Sequence, residues 1–346
     1  MKVNNFVQEF IVEEDRPFDS AHASTLLQLR NGGVLAAWFG GSWEHAKDVA
    51  IWTARRVGGR WLPPVKVADV RGVPMWNPVL FRRADGTIEL FFKVGEEISD
   101  WQTFFVLSRD EGETFSAMEE LVPGDTCGGR GPVKNKPIRL KSGRVLSPAS
   151  LEGPLWDAFV DISDDDCRTW RMSELVPIRR VQLSDGSSMN NEVVDRPYNP
   201  QYCFGKGLIQ PTLWEDENGV HMLCRSTSSR VFRSDSCDGG ETWRLAYDMG
   251  LPNNNSGLDL AQLSDGRLVL AYNPRENLPG YYKGPRTPLV VAVSCDNGET
   301  FETVKVLEDQ PGNYCYPSII VGENDEIKVT YTWNRLRVAY CSFTLD

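Results

Sequence analysis

The chain of 346 residues is poor in the features that mark many common enzyme classes. No stretch approaches the ~18 consecutive apolar residues of a membrane span. Acidic side chains outnumber basic ones 48 to 37, a formal charge of −11, and no basic stripe suits nucleic acid or an anionic membrane. There are three histidines and eight cysteines, with no C-x-x-C pair and no zinc-type Cys/His spacing. A phosphate-cradling glycine loop and a Ser-His-Asp elbow are also missing, so neither metal nor cofactor is expected. No helix-period stretch of useful length occurs. The opening MKVNNFVQEFIVEED has no apolar core of a signal peptide, so a cytoplasmic protein with reduced thiols is expected, or a secreted one had a leader been removed.

Short strand-like segments and aromatics are abundant. Trp, Tyr and Phe total 36, a number that strands alone can absorb. One octet recurs four times, as Ser108–Phe115 (SRDEGETF), Ser163–Trp170 (SDDDCRTW), Ser236–Trp243 (SCDGGETW) and Ser294–Phe301 (SCDNGETF), at intervals of 55, 73 and 58 residues. The common form, S-x-D-x-G-x-T-[W/F], has the chemistry of a turn. Asp accepts local N–H bonds, Gly permits positive φ, and the aromatic anchors the next strand. A period of this length points to an array of supersecondary units.

A second repeat lies between the octets. Six segments read as two strands joined by a tight polar turn, beginning at His22, Asn77, Lys136, Gln210, about Ser256 and Tyr316. Each of the first five is followed by an octet or, in Ala54–Trp61 (ARRVGGRW), its remnant. After the sixth only one strand remains, and Phe6–Val12 can supply the missing outer strand. The expectation is an all-β, six-bladed β-propeller filling residues 1–346 as a single domain. The polar stretch 181–207 reads as a loop over one face. In such a ring the six hairpin starts become neighbours at the mouth of the axis.

The octet resembles the Asp-box of the sialidase superfamily. H-A-S-T at His22–Thr25, F-G-G-S at Phe39–Ser42, P-M-W-N-P-V-L-F at Pro74–Phe81, K-N-K-P at Lys134–Pro137, N-S-G-L-D at Asn255–Asp259 and Y-T-W-N-R at Tyr331–Arg335 resemble a sialidase-like subgroup of bacteria and plants. The resemblance implies carboxylate-clamping arginines at Arg225 and Arg286 and a tyrosine nucleophile at Tyr316. It also marks departures. His22 stands where the family has its first arginine, and Gln210 where it has the glutamate that polarises the tyrosine. The acid/base aspartate has Glu44 or Asp48 as counterparts.

A phenol is a poor nucleophile unless a neighbour takes its proton, which an amide cannot do. Histidine can. Expected catalytic residues are therefore Tyr316, His22, Glu44, Asp48 and Gln210, with Arg225, Arg286, Arg335, Asn77 and Lys136 binding substrate. The activity implied is exo-hydrolysis of a terminal acidic sugar, the partner being an acidic oligosaccharide. A lyase or rhamnosidase-type enzyme on uronate-containing glycans, or a non-catalytic sugar- or protein-binding propeller, are the alternatives. His221, alternating with apolar residues in VHMLC, reads as structural; His45 is a second candidate for the site. Trp43, Trp76 and Trp333 read as core residues before sugar platforms.

Overall fold

The computed structural model describes residues 1–13, 15–181, 199–278, 281 and 283–346. Six antiparallel sheets surround one axis, each built outwards from its first strand. The innermost strands are Ser20–Gln28, Met75–Arg82, Ile138–Arg139, Leu208–Glu215, Asp259–Gln262 and Tyr314–Val321. The sixth blade closes the ring: Val3–Phe10 pairs with Arg337–Leu345 as its outermost strand, three residues earlier than the expected segment begins. Alternating apolar residues of adjacent blades interlock into cores rich in Val, Leu, Ile and aromatics. Among the described residues no helix is long and apolar enough to cross a membrane. Most of the expected loop at 181–207 lies outside the described residues; its flanks Arg179–Val181 and Tyr202–Phe204 pair as a short parallel ladder.

Each box links the third and fourth strands of a blade. Asp110 Oδ1 accepts from Ser108 Oγ at 2.8 Å and the Thr114 amide at 2.9 Å, and Oδ2 from Thr114 Oγ1 at 2.5 Å. Asp165, Asp238 and Asp296 repeat this with Thr169, Thr242 and Thr300. Burial raises the Asp110 and Asp165 carboxyls, but these bonds outweigh it and hold them at about 2. The fourth box residue has positive φ (Glu111, Asp166, Gly239, Asn297) and reaches the preceding blade. Glu111 accepts from the Arg30 amide, Asp166 from the Ala84 amide, the Gly239 carbonyl from Arg144 and Asn297 from Trp214. The boxes thus stitch neighbouring blades at one end of the ring. In blade 1 the remnant becomes a two-residue hairpin, Val57 opposite Arg60, with Gly58 and Gly59 at φ 57° and 80°, the handedness such a turn requires.

At the axis the segment Lys134-Asn135-Lys136 ties the blades together. Asn135 Nδ2 donates to the Gln210 and Pro211 carbonyls at 3.1 and 2.9 Å, and Lys134 Nζ to the Leu258 and Pro317 carbonyls. Lys136 Nζ sits 2.9 Å from Asp259 Oδ2, a fully buried carboxylate that also accepts from Thr212 Oγ1 at 2.8 Å and the Ile319 amide at 2.9 Å. Four blades therefore meet at Asp259.

Candidate active site

Strands run so that the boxes lie at one end of the ring, and the starts of first strands and the second-to-third connections at the other. A cavity of about 350 Å³ opens at this second end. Four first strands are kinked there. Ala23, Asn77, Gln210 and Tyr316 have φ of 52°, 44°, 55° and 53°, each at a register shift in its ladder. The following residue is Pro in three of them (Pro78, Pro211, Pro317); lacking an N–H, proline leaves no donor stranded in the bulge. A left-handed non-glycine residue costs about 1–3 kcal/mol and persists where the surroundings enforce it.

Nearly all of the expected residues converge here. His22, Glu44, Asn77, Gln210, Arg225, Arg286, Tyr316 and Arg335 line the cavity. Arg225 is the last residue but one of the second strand of blade 4; its Nη1 donates to Gln210 Oε1 at 3.0 Å and the Tyr316 hydroxyl at 3.1 Å, and its Nε to Asn255 at 3.0 Å. The Arg225 and Arg286 guanidiniums lie 5.9 and 5.7 Å from the Tyr316 ring centroid. Arg335, in the last second-to-third turn, pairs with Glu44 at 2.6 Å. Five cationic and two carboxylate side chains line the cavity, against a chain charge of −11, so an anion is favoured locally.

His22 is buried, its ring centroid 4.3 Å from that of Tyr316, with Nδ1 2.7 Å from Thr332 Oγ1. Burial, then the charges of Arg335, Arg286, Lys134 and Arg225, hold it well below the usual histidine value. It is therefore neutral at pH 7, the form able to accept a proton.

Two expected residues lie elsewhere. Lys136 is turned down the axis onto Asp259, because blade 3 has no kink and its inner strand starts only at Ile138. Asp48 does not line the cavity; it caps its own loop, accepting from the Ser42 amide at 3.1 Å and Ser42 Oγ at 2.5 Å. That hydroxyl contact, foremost, lowers its carboxyl and keeps it ionised. Trp76 and His45 line the cavity, packed edge-on at 4.5 Å. Trp43 is exposed, and Trp333 packs on Phe10 at 5.3 Å. His221 is structural, lying between Asp235 and Asp216 at 2.5 and 2.9 Å and stacked on Trp214.

Glu152, Trp156, Trp101 and Lys206 also line the cavity and were not foreseen. Glu152 is the last residue of the second strand of blade 3, and Arg225 the last but one of that of blade 4. Reading second-strand ends as well as hairpin starts would have found it. Its Oε1 is 3.3 Å from Gln210 Nε2 and 3.2 Å from Ser150 Oγ, and burial raises its carboxyl above the ordinary range despite Arg225.

Residues 32–329 match the BNR repeat-like domain family. The chain belongs to that family. Comparison with curated proteins finds no match. Among solved structures it is similar to a Dyadobacter fermentans protein of unknown function (15% identity, TM-score 0.74, 100% of this chain and 99% of that one). It is also similar to the intramolecular trans-sialidase of Ruminococcus gnavus (12%, 0.71, 97% and 97%). A mutant of the NanB sialidase of Streptococcus pneumoniae is a third (13%, 0.72), with 97% of this chain aligned to 70% of that one. At these identities the likeness is one of fold.

Proposed function

We propose that the cavity is the active site of a sialidase-like glycosidase that removes a terminal carboxylate-bearing sugar from a glycan. The observation carrying this reading is the convergence of Arg225, Arg286 and Arg335 around Tyr316 in one pocket. A guanidinium fork matches a carboxylate's planar geometry, and three forks fix a sugar acid's orientation. The Tyr316 hydroxyl is the nucleophile for the anomeric carbon. It receives an N–H from Arg225, an interaction that strengthens as the oxygen takes on negative charge. Gln210 cannot remove the phenolic proton; neutral His22, packed against the Tyr316 ring, is the neighbouring base, a weak one because burial and the surrounding arginines lower it. Glu44 is the carboxyl left at the rim to exchange a proton with the leaving oxygen, once its pairing with Arg335 yields to substrate.

One feature favours a second reading. With an amide beside Tyr316 and a neutral imidazole against it, the site also suits β-elimination, in which arginine neutralises a uronate and His22 or Tyr316 abstracts the α-proton. The discriminating experiment is incubation with sialyl-lactose and with uronate-capped oligosaccharides. New reducing ends without absorbance near 235 nm support hydrolysis. Absorbance there replaces it with lyase chemistry. No turnover of either class, with binding retained, makes the propeller a sugar-binding module.

A further inference from the structure

Gln210 is held by directed contacts from three sides. Its Oε1 accepts from Arg225 Nη1 at 3.0 Å, while Nε2 faces Glu152 Oε1 at 3.3 Å and the Tyr316 hydroxyl at 3.4 Å. The partners dictate this orientation, because guanidinium offers only donors and an ionised carboxylate only acceptors. A half-turn of the amide would set N–H against N–H at Arg225 and oxygen against oxygen at Glu152. The backbone gives Gln210 no slack either: it sits at positive φ before Pro211, and the residue is 2% exposed. Glu152 is anchored from its own strand by Ser150, whose hydroxyl donates to it and also accepts from the Gln210 backbone N–H at 3.3 Å.

We propose that Glu152 is a positioning residue for Tyr316, acting by locking the Gln210 side chain so that one of its N–H groups points at the phenol oxygen. The Tyr316 hydroxyl then lies between two N–H donors, Gln210 and Arg225. A corollary concerns position 210. While Glu152 is present that position must be an amide, since a second carboxyl about 3.3 Å away would meet like charge in a poorly solvated pocket. The catalytic consequence rests on the glycosidase reading above; the contact itself does not, and its test uses no substrate.

The side-chain amide of Gln210 can be followed by NMR in protein labelled with ¹⁵N-glutamine, its resonances assigned by their loss in Gln210→Ala. They are expected to shift along a single titration lying above the usual glutamate range, in the wild type and in Tyr316→Phe alike, and to be flat in Glu152→Gln. Persistence of the titration in Glu152→Gln overturns the proposal. A second arm covers misfolding of that variant. Gln210→Glu should lower the melting midpoint by roughly 4 °C or more at pH 8 and by much less at pH 5, where the two carboxyls share protons. Glu152→Gln/Gln210→Glu should remove the pH dependence. An equal penalty at both pH values overturns the proposal. Should sialoside turnover be found, Glu152→Gln is expected to lower kcat more than it changes KM; an unchanged kcat refutes the positioning role even where the NMR titration is as expected.

Discussion

At the box end of the propeller, Asp110, Asp165, Asp238 and Asp296 make one set of hydrogen bonds four times. At the cavity end the recurring element is a backbone kink, and it carries four different side chains: Ala23, Asn77, Gln210 and Tyr316. Repetition of residue and geometry together marks a scaffold, because the four blades that carry a box make the same turn and the same joint to the preceding blade. Repetition of geometry alone marks a frame on which chemistry varies. The buried histidines divide in the same way. His221, flanked by Asp235 and Asp216 and inside an ion-pair cluster with Arg233, is disfavoured as a cation by burial, but its carboxylate partners outweigh that and raise it. His22 is pushed down by burial and then by the arginines it faces.

The largest effect is expected from Tyr316→Phe, which should cut turnover of a susceptible sialoside roughly 10³-fold or more with the melting midpoint nearly unchanged; retained turnover would remove Tyr316 from the chemistry. Next is Lys136→Ala, which strands the buried Asp259 carboxylate and should cost about 3–5 kcal/mol in urea unfolding, while leaving KM of the folded fraction unaltered. An altered KM with little loss of stability would return Lys136 to the site.

Asp165→Ala, on the scaffold side, should cost about 1–2 kcal/mol through lost turn bonds and leave turnover intact. A change in kcat would show that the two ends are coupled. The smallest effects are the pH slopes. His22 prefers the neutral form in the fold, so its contribution is present above pH 6.5 and is lost as pH falls towards its lowered value. The slope is at most about 1.4 kcal/mol per pH unit. His221 has the opposite sign: its contribution is full below 6.5 and fades as pH rises through its raised value. The difference in urea midpoint between variant and wild type should therefore change with pH from 5 to 8 in opposite senses for His22→Asn and His221→Asn; a change in the same sense would refute the contrast.

Much of the scaffold was legible in the chain because its signals are local. A box completes its bonds within five residues, from Ser108 Oγ to the Gly112 amide at 2.8 Å and from Asp110 to Thr114. The hairpin turns are similarly short. Arg225, Arg286, Arg335 and Tyr316 were also foreseen, from hairpin register and from the resemblance. Glu152 escaped because its partner Gln210 is 58 residues away, and nothing nearby in SLEGPLW announces a cavity. Lys136 misled because Lys136-Pro137 looks like the Asn77-Pro78, Gln210-Pro211 and Tyr316-Pro317 pairs that do form kinks.

By itself, then, the sequence determined the blades, their number and the velcro closure, since strand alternation, turn chemistry and box spacing act over a few residues at a time. Only the tertiary structure decided which polar side chains share the cavity and which brace the axis. That choice depends on where six strand starts and six connections meet in space, and on the partners that draw a side chain towards one role or the other: Asp259, 123 residues away, for Lys136, and Ser42, within its own loop, for Asp48.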